Sequence, residues 1–449
     1  MHACLTRFDV LQPVLIFLKC VFPRAASQGA LQPGNLTRAL AREISGLIDL
    51  EDCQRQVEPL LMTPPYKFAP RARLLEFMRQ TGVPNLINLA AGLPSVDCVP
   101  KAALKRAFDA AFIEEPDVAL GYHTPDGDYG LREMIAARFA GRGISVTAEE
   151  MVITTGCTQA LHGMIRLLAQ PGNVVACEAP AYYATLEMLG DLGVRVLPIP
   201  VRDSQGVDLD LVSTLFERFR PKFFAVCSTL SNPSGATLPN DARHALVEIC
   251  RKTGTRILED EIYGELSEID GLRPIRSYDD GSIVSYVTSF SKTVAPGIRV
   301  GVCVPGGSSD QFAQLKCQQD MHSATLCEVA FRKYLETGDL DSHLKYLKEL
   351  NRQRREIARE VIEKHFPDGT ITWIPKGGFL LWVEVPQHID IEKAYQAALQ
   401  SNVAFSRGKA FFTTPETKVS AMRLNCSRPT TNELLKGLEI LGKILSQSV

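Results

Sequence analysis

The sequence predicts an α/β protein: a three-layer α/β/α large domain around a mainly parallel sheet, plus a smaller α+β domain. Two observations carry this. Between Val152 and about Val304, short unbroken apolar runs alternate with segments of helical periodicity, and strands apolar on both faces require helices on both sides of their sheet. The chain of 449 residues is also 45% hydrophobic and 22% charged, with a net charge of −2, which suits one large core and a second smaller one. So small a net charge gives no footprint of a nucleic-acid binder.

Taken in order, residues 1–69 read as a poorly defined N-terminal extension. Residues 14–22 are apolar, but Lys19 interrupts them and they are far too short to cross a bilayer. Up to Ser45 the bases Arg7, Lys19, Arg24, Arg38 and Arg42 outnumber the acids Asp9 and Glu43, so a targeting segment and a plain extension both stay open. Residues 37–50 have the spacing of a short amphipathic helix. The twelve cysteines are scattered with no C-x-x-C pair, which argues against a zinc site or a disulfide framework and for reduced thiols in the cytoplasm. No metal, membrane or nucleic-acid partner is expected.

Beyond residue 70 the chain becomes regular. A short helix over 71–80 leads to Asn88-Leu89-Ala90-Ala91-Gly92-Leu93-Pro94, where glycine permits close approach to a ligand and proline stiffens the exit. Residues 120–127 form a polar, turn-rich loop carrying Tyr122, placed to serve a neighbouring site or a subunit contact, and a helix follows over 130–141. Strands are then expected at 152–154, 174–176, 194–197, 223–226, 256–258, 282–287 and 300–302, with helices over 158–169, 183–192, 209–219 and 241–252. In such sheets ligands bind at the carboxyl ends of the strands.

The chemically loaded stretches fall at those ends. Thr155-Gly156-Cys157-Thr158-Gln159 lies between strand and helix, where backbone N–H groups and a helix N-terminus can cradle a phosphate, though an ordinary cap looks the same. Tyr182, in Pro180-Ala181-Tyr182, offers a face to a planar ring or simply packs. Asn232, in Ser231-Asn232-Pro233-Ser234-Gly235, can donate to a ring oxygen or merely shape a turn. The run Glu259-Asp260-Glu261-Ile262-Tyr263 places carboxylates at a strand end, which is costly unless something binds there or the turn is solvated. An aspartate facing a ring nitrogen would keep it protonated, and Tyr263 could donate to a phenolate oxygen. Last comes Thr288 to Gly301, with Lys292 between the hydroxyls of Ser289 and Ser291 and the guanidinium of Arg299. A lysine among phosphate donors suits an aldehyde cofactor that carries a phosphate, pyridoxal 5′-phosphate.

The C-terminal third reads as helices over 309–336 and 341–365, an alternating strand over 375–385, and the stretch Ala421-Met422-Arg423-Leu424-Asn425-Cys426-Ser427. Arg423 there suits a bidentate grip on a carboxylate, or a structural ion pair.

Together, Gly156-Cys157-Thr158-Gln159-Ala160, Pro180-Ala181-Tyr182, Ser231 to Gly235, Glu259 to Gly264 and Ser289 to Gly301 resemble the motif series of fold-type I pyridoxal-phosphate enzymes, the aspartate aminotransferase superfamily. The resemblance runs from about Pro70 to the C-terminus. It is nearest in kind to the aminoadipate, kynurenine and aromatic aminotransferases and to the aminotransferase-like domain of MocR-type regulators, whose DNA-binding module residues 1–69 do not resemble. It implies Lys292 as the Schiff-base lysine, Asp260 on the ring nitrogen, Asn232 and Tyr263 on the phenolate oxygen, and Tyr182 stacked on the ring. Phosphate would be held by Gly156, Cys157, Thr158, Ser289, Ser291 and Arg299, with Tyr122 reaching the partner's phosphate across a homodimer. Arg423, Asn232 and the Gly92 backbone would form the substrate carboxylate pocket.

The resemblance further implies a small-domain segment at 70–115, a large domain at 116–340 and a small domain at 341–449. The implied activity is ping-pong exchange of an amino group between an α-amino acid, with aromatic and aliphatic ones in view, and a 2-oxo acid. The same residues also suit a carbon–sulfur β-lyase acting on a cysteine conjugate, or a cofactor-binding sensor without turnover. Three departures touch the substrate end: Ser231 stands before Asn232 where glutamine or asparagine is usual, Ser234 replaces threonine, and Arg407-Gly408 replaces Pro-Gly.

Overall fold

A computed structural model describes residues 73–80, 82–413 and 419–448. The expectations for the extension 1–69, the apolar run 14–22 and the helix 37–50 lie outside the described residues. In chain order the strands are β1 (Ile87–Asn88), β2 (Val152–Thr155), β3 (Val174–Ala179), β4 (Arg195–Asp203), β5 (Gly206–Val207), β6 (Phe223–Val226) and β7 (Arg256–Asp260). They continue with β8 (Val284–Ser289), β9 (Val300–Val304), β10 (Ile371–Trp373), β11 (Leu380–Glu384), β12 (Val403–Ala404), β13 (Ser406–Arg407) and β14 (Ala421–Asn425).

The principal sheet has eight strands in the order β2-β9-β8-β7-β6-β3-β4-β5. Its centre, from β8 through β7, β6 and β3 to β4, is parallel, while β2, β9 and β5 join antiparallel at the edges. The return of β9 follows from chain length: β8 and β9 are separated only by residues 290–299, too few for the crossover that a parallel neighbour needs. Every residue of β6, β8 and β9 is buried, as expected where helices cover both faces. One such layer packs Leu161, Met164 and Ile165 of the helix Cys157–Leu168 against Val175, Phe223, Leu258 and Val287 of the sheet.

Two smaller sheets complete the fold. β1 pairs parallel with β12, and β10-β11-β14-β13 is antiparallel throughout. The helix Asp339–His365 packs on Thr431–Gln447, which begins with a capping box in which Thr430 and Glu433 satisfy each other's backbone N–H groups.

Two expected elements are corrected. The helix read over 309–336 is two, Ser309–Asp320 and Thr325–Glu336, broken where Met321 takes φ +62°. No glycine or proline marks that break, so the periodicity ran through it. The strand read over 375–385 begins only at Leu380, because Gly377 and Gly378 take positive φ and turn the chain first. The structure adds helices Lys101–Glu114, Pro116–Leu120, Ile391–Gln400 and Thr431–Gln447 to those expected from the sequence.

Candidate active site

Asp260 is the last residue of β7. Side chains alternate along a strand, so of the three neighbouring carboxylates only Asp260 lines the central cleft. Glu259 turns inward and accepts from Ser228 Oγ (2.6 Å) and from the backbone N–H groups of Ile275 (2.7 Å) and Arg276 (2.9 Å). Glu261 pairs with Arg142 (2.7 Å) and lies 3.7 Å from Arg243. Asp260 Oδ1 accepts from Ile262 N–H (3.2 Å) and Cys157 Sγ (3.5 Å). Burial pushes its carboxyl up to about 6 against those two hydrogen bonds.

Lys292 sits in the turn between β8 and β9, and its Nζ donates to the Gly92 carbonyl at 2.7 Å. Burial first, then the positive field of Arg423, lowers the amine to about 8. Gly92 belongs to a loop whose four successive carbonyls are all held by side chains. Ala90 O accepts from Arg423 and from Ser406 Oγ (2.8 Å), Ala91 O and Leu93 O from Asn425, and Gly92 O from Lys292.

Beside Lys292 lies an anion cradle. Gly156 takes φ +77° before the helix Cys157–Leu168, and a Cβ there would overlap the Arg299 guanidinium. A Cβ at Gly301 would meet the Gly156 backbone at 2.5–2.7 Å and the Cys157 nitrogen at 2.8 Å, so both positions require glycine. Arg299 donates to Thr155 O (2.9 Å) and Ser291 Oγ (3.3 Å), and no carboxylate among the described residues pairs with it. A guanidinium free of carboxylates at a helix N-terminus fits a phosphate. Ser289, expected among the phosphate donors, does not line the cleft. Its Oγ is engaged by Val300 O (3.0 Å) and Ser291 Oγ (2.8 Å), so Ser291 stands in front of it.

Tyr182, Asn232 and Tyr263 line the same cleft, as do Cys157 and Thr158. Burial raises the hydroxyls of both tyrosines, which therefore stay protonated and able to donate. Sequence reasoning missed Tyr183, whose ring lies 4.9 Å from that of Tyr182 and 5.8 Å from the Arg423 guanidinium. The Tyr-Tyr doublet was its only signal.

Arg423, on β14, is wholly buried. It donates to Asn232 Oδ1 (2.8 Å), Ser406 Oγ (3.0 Å) and Ala90 O, while its Nε has no partner. No carboxylate among the described residues pairs with it. A Cβ at Gly92 would lie 3.5 Å from its Nη1, so the loop passes directly over the guanidinium. A guanidinium is always charged, and burying it without a counter-ion is costly unless an anion joins it. Tyr122 stands apart from the cleft: it is 85% exposed, with its ring edge-on to His322 at 5.5 Å.

Comparison with known proteins accords with this geometry. The family description "Aminotransferase class I and II" matches residues 84–441. The 2-aminoadipate transaminase of Thermus thermophilus is 28% identical over 375 residues, covering 82% of this chain and 92% of that one. An uncharacterised HTH-type transcriptional regulator of Escherichia coli is 26% identical over 378 residues, covering 84% and 80%. Among solved structures, the kynurenine aminotransferase of Pyrococcus horikoshii in complex with PMP is similar with a TM-score of 0.80 at 26% identity, covering 90% of this chain and 100% of that one. Because the family match spans the chain from the Gly92 loop to the arginine on β14, and the cleft beside that loop has the charges a pyridine ring and its phosphate call for, the chain belongs to the class I and II aminotransferases and is a pyridoxal-phosphate-dependent transaminase.

Proposed function

We propose that Arg423, buried behind the Gly92 loop, holds the α-carboxylate of the amino acid or 2-oxo acid, and that Lys292, in the cleft, moves the proton. The observation that carries this is the buried Arg423 guanidinium, without a carboxylate partner among the described residues, beneath the loop whose Gly92 carbonyl holds Lys292 Nζ at 2.7 Å. Bound pyridoxal phosphate supplies a conjugated ring that accepts the electron pair left when the α-proton is removed.

Asp260 would hold the ring nitrogen, with Ile262 N–H and Cys157 Sγ orienting its carboxylate. Asn232 and the Tyr263 hydroxyl would face the phenolate oxygen, and Tyr182 would cover the ring. Gly156, Cys157, Thr158, Ser291 and Arg299 would hold the phosphate, with Ser289 bracing Ser291. An amine lowered to about 8 has an appreciable neutral fraction at neutral pH, so Lys292 can take a proton from one carbon and return it to another. Residues 70–115 and 341–449 form, on this reading, the smaller domain that closes over the substrate and excludes water.

A homodimer belongs to the same proposal. Phe112, Ile113, Val118, Leu120, Tyr122 and Met321 are exposed. They lie on helices Lys101–Glu114 and Pro116–Leu120, which both pack on Thr325–Glu336, and on the adjoining turns. Large apolar side chains exposed on neighbouring elements suit a subunit contact, and a second copy would bring Tyr122 to its partner's phosphate. The nine described cysteines are free thiols, which supports a reducing, cytoplasmic setting. No helix of the described residues is long and apolar enough to cross a membrane.

The test is to give the holoenzyme an amino acid alone. Turnover should stop after one equivalent of 2-oxo acid per site and resume when a second oxo acid is added. Continuous release of pyruvate and ammonia from a cysteine conjugate would favour the β-lyase instead, and binding without turnover the sensor.

A further inference from the structure

We propose that the substrate carries an uncharged, apolar side chain, received by a wall of Leu74, Met78 and Leu93, and that Glu187 at the edge of that wall excludes acidic substrates. The inference rests on Arg423 holding the α-carboxylate. With that end fixed and the α-amino group at Lys292, Tyr182, Asp260 and Arg299 would hold the ring and phosphate on their side of the cleft. The substrate's side chain is left to face Leu93, Tyr183 and the helix Arg73–Gln80.

That helix packs on the helix Tyr183–Leu192. Leu74 and Met78 are four residues apart and so share one helical face, and both line the cleft. The charged residues lining it are Asp260, Lys292 and Arg299, with Arg423 behind the Gly92 loop, and each already has a partner in cofactor or substrate. A carboxylate lies beside this wall: Glu187 Oε1 accepts from Leu74 N–H at 3.3 Å, and its field reaches the Tyr183 hydroxyl. A distal carboxylate would therefore be desolvated against leucine and methionine, with no further cation among the described residues that line the cleft to pair with and a like charge nearby. An aliphatic, thioether or aromatic side chain meets none of these costs and gains by burial.

The test compares kcat/KM of the holoenzyme for leucine, methionine and phenylalanine with that for aspartate, glutamate, 2-aminoadipate and lysine. The apolar group should lead by about a hundredfold or more, at least the factor by which a hydrophobic pocket rejects an added polar group. Met78→Arg should raise glutamate and 2-aminoadipate and lower leucine; Met78 is 49% exposed, so this variant should fold. Glu187→Gln should raise glutamate relative to leucine by about tenfold. An acidic or basic amino acid that equals or exceeds the apolar group in the wild type would overturn the proposal while leaving transamination intact. If no amino acid in the panel were converted, the transaminase reading itself would fall, and the substrate assignment with it.

Discussion

Glu178→Gln should stabilise the folded enzyme, increasingly so as the pH rises. Glu178 lies near the end of β3, buried, with Oε2 accepting from Cys227 N–H (2.8 Å) and Ser231 Oγ (3.2 Å). Burial, reinforced by the charge of Asp260 and opposed by those two hydrogen bonds, raises its carboxyl from 4.5 to about 8. In the unfolded chain this group ionises near 4.5, whereas in the fold it keeps its proton to about 8. Between those values the folded state binds the extra proton, so its contribution is present at acid pH and is lost as the pH rises. The separation corresponds to roughly 5 kcal/mol as a ceiling, at about 1.4 kcal/mol per pH unit. Glutamine has the same shape and its carbonyl can accept the same two hydrogen bonds without ionising. Its amide group needs an acceptor, which costs about 1–3 kcal/mol if none is found, but that offset does not vary with pH. Urea unfolding of both proteins at equal cofactor concentration should show the variant gaining about 3–5 kcal/mol on the wild type between pH 5 and pH 8.5. A difference that stays constant with pH, or shrinks, would mean that Glu178 is charged in the fold and would refute the reasoning.

Lys292→Ala should abolish the covalent attachment of cofactor, seen by mass spectrometry after borohydride reduction, and lower turnover by several orders of magnitude. Asp260→Ala should leave cofactor attached but slow α-proton removal severely, read by exchange of the α-deuterium of a labelled substrate. A near-normal rate would relocate the electron-withdrawing role, and Glu259 and Glu261 could not take it, since both turn away from the cleft to Ser228 and Arg142. Arg423→Ala should cost about 2–5 kcal/mol in kcat/KM for both amino and oxo acids with cofactor affinity nearly unchanged. Loss of cofactor in that variant would make Arg423 structural.

What the sequence made legible follows from where the information sits. A strand buried on both faces appears as an apolar run, and the polar residues where the run stops mark the edge of the cleft; Gly156, Asp260 and Lys292 could be found that way, because strand, turn and functional residue are contiguous. Choosing Asp260 over its two acidic neighbours needed the alternation of β7 together with partners brought by the fold, Arg142 lying 119 residues from Glu261. Arg423 is the harder case. Nothing local separates an arginine that waits for a substrate from one already paired, and here the difference lies in the lack of a carboxylate partner among the described residues and in Asn232, 191 residues away. The same logic accounts for Ser289: its spacing from Lys292 suits a phosphate donor, but the antiparallel return of β9 places the Val300 carbonyl within 3.0 Å of its hydroxyl and turns it inward. A motif thus specifies which groups are available near an atom, and the pairing of strands then decides which of them are already spent. An unpaired buried donor does not single out the site by itself, since the Nε atoms of Arg256, Arg276 and Arg354 lack partners too; for Arg423 it is the Gly92 loop above it and the hydrogen bond to Asn232 that tie it to the cleft.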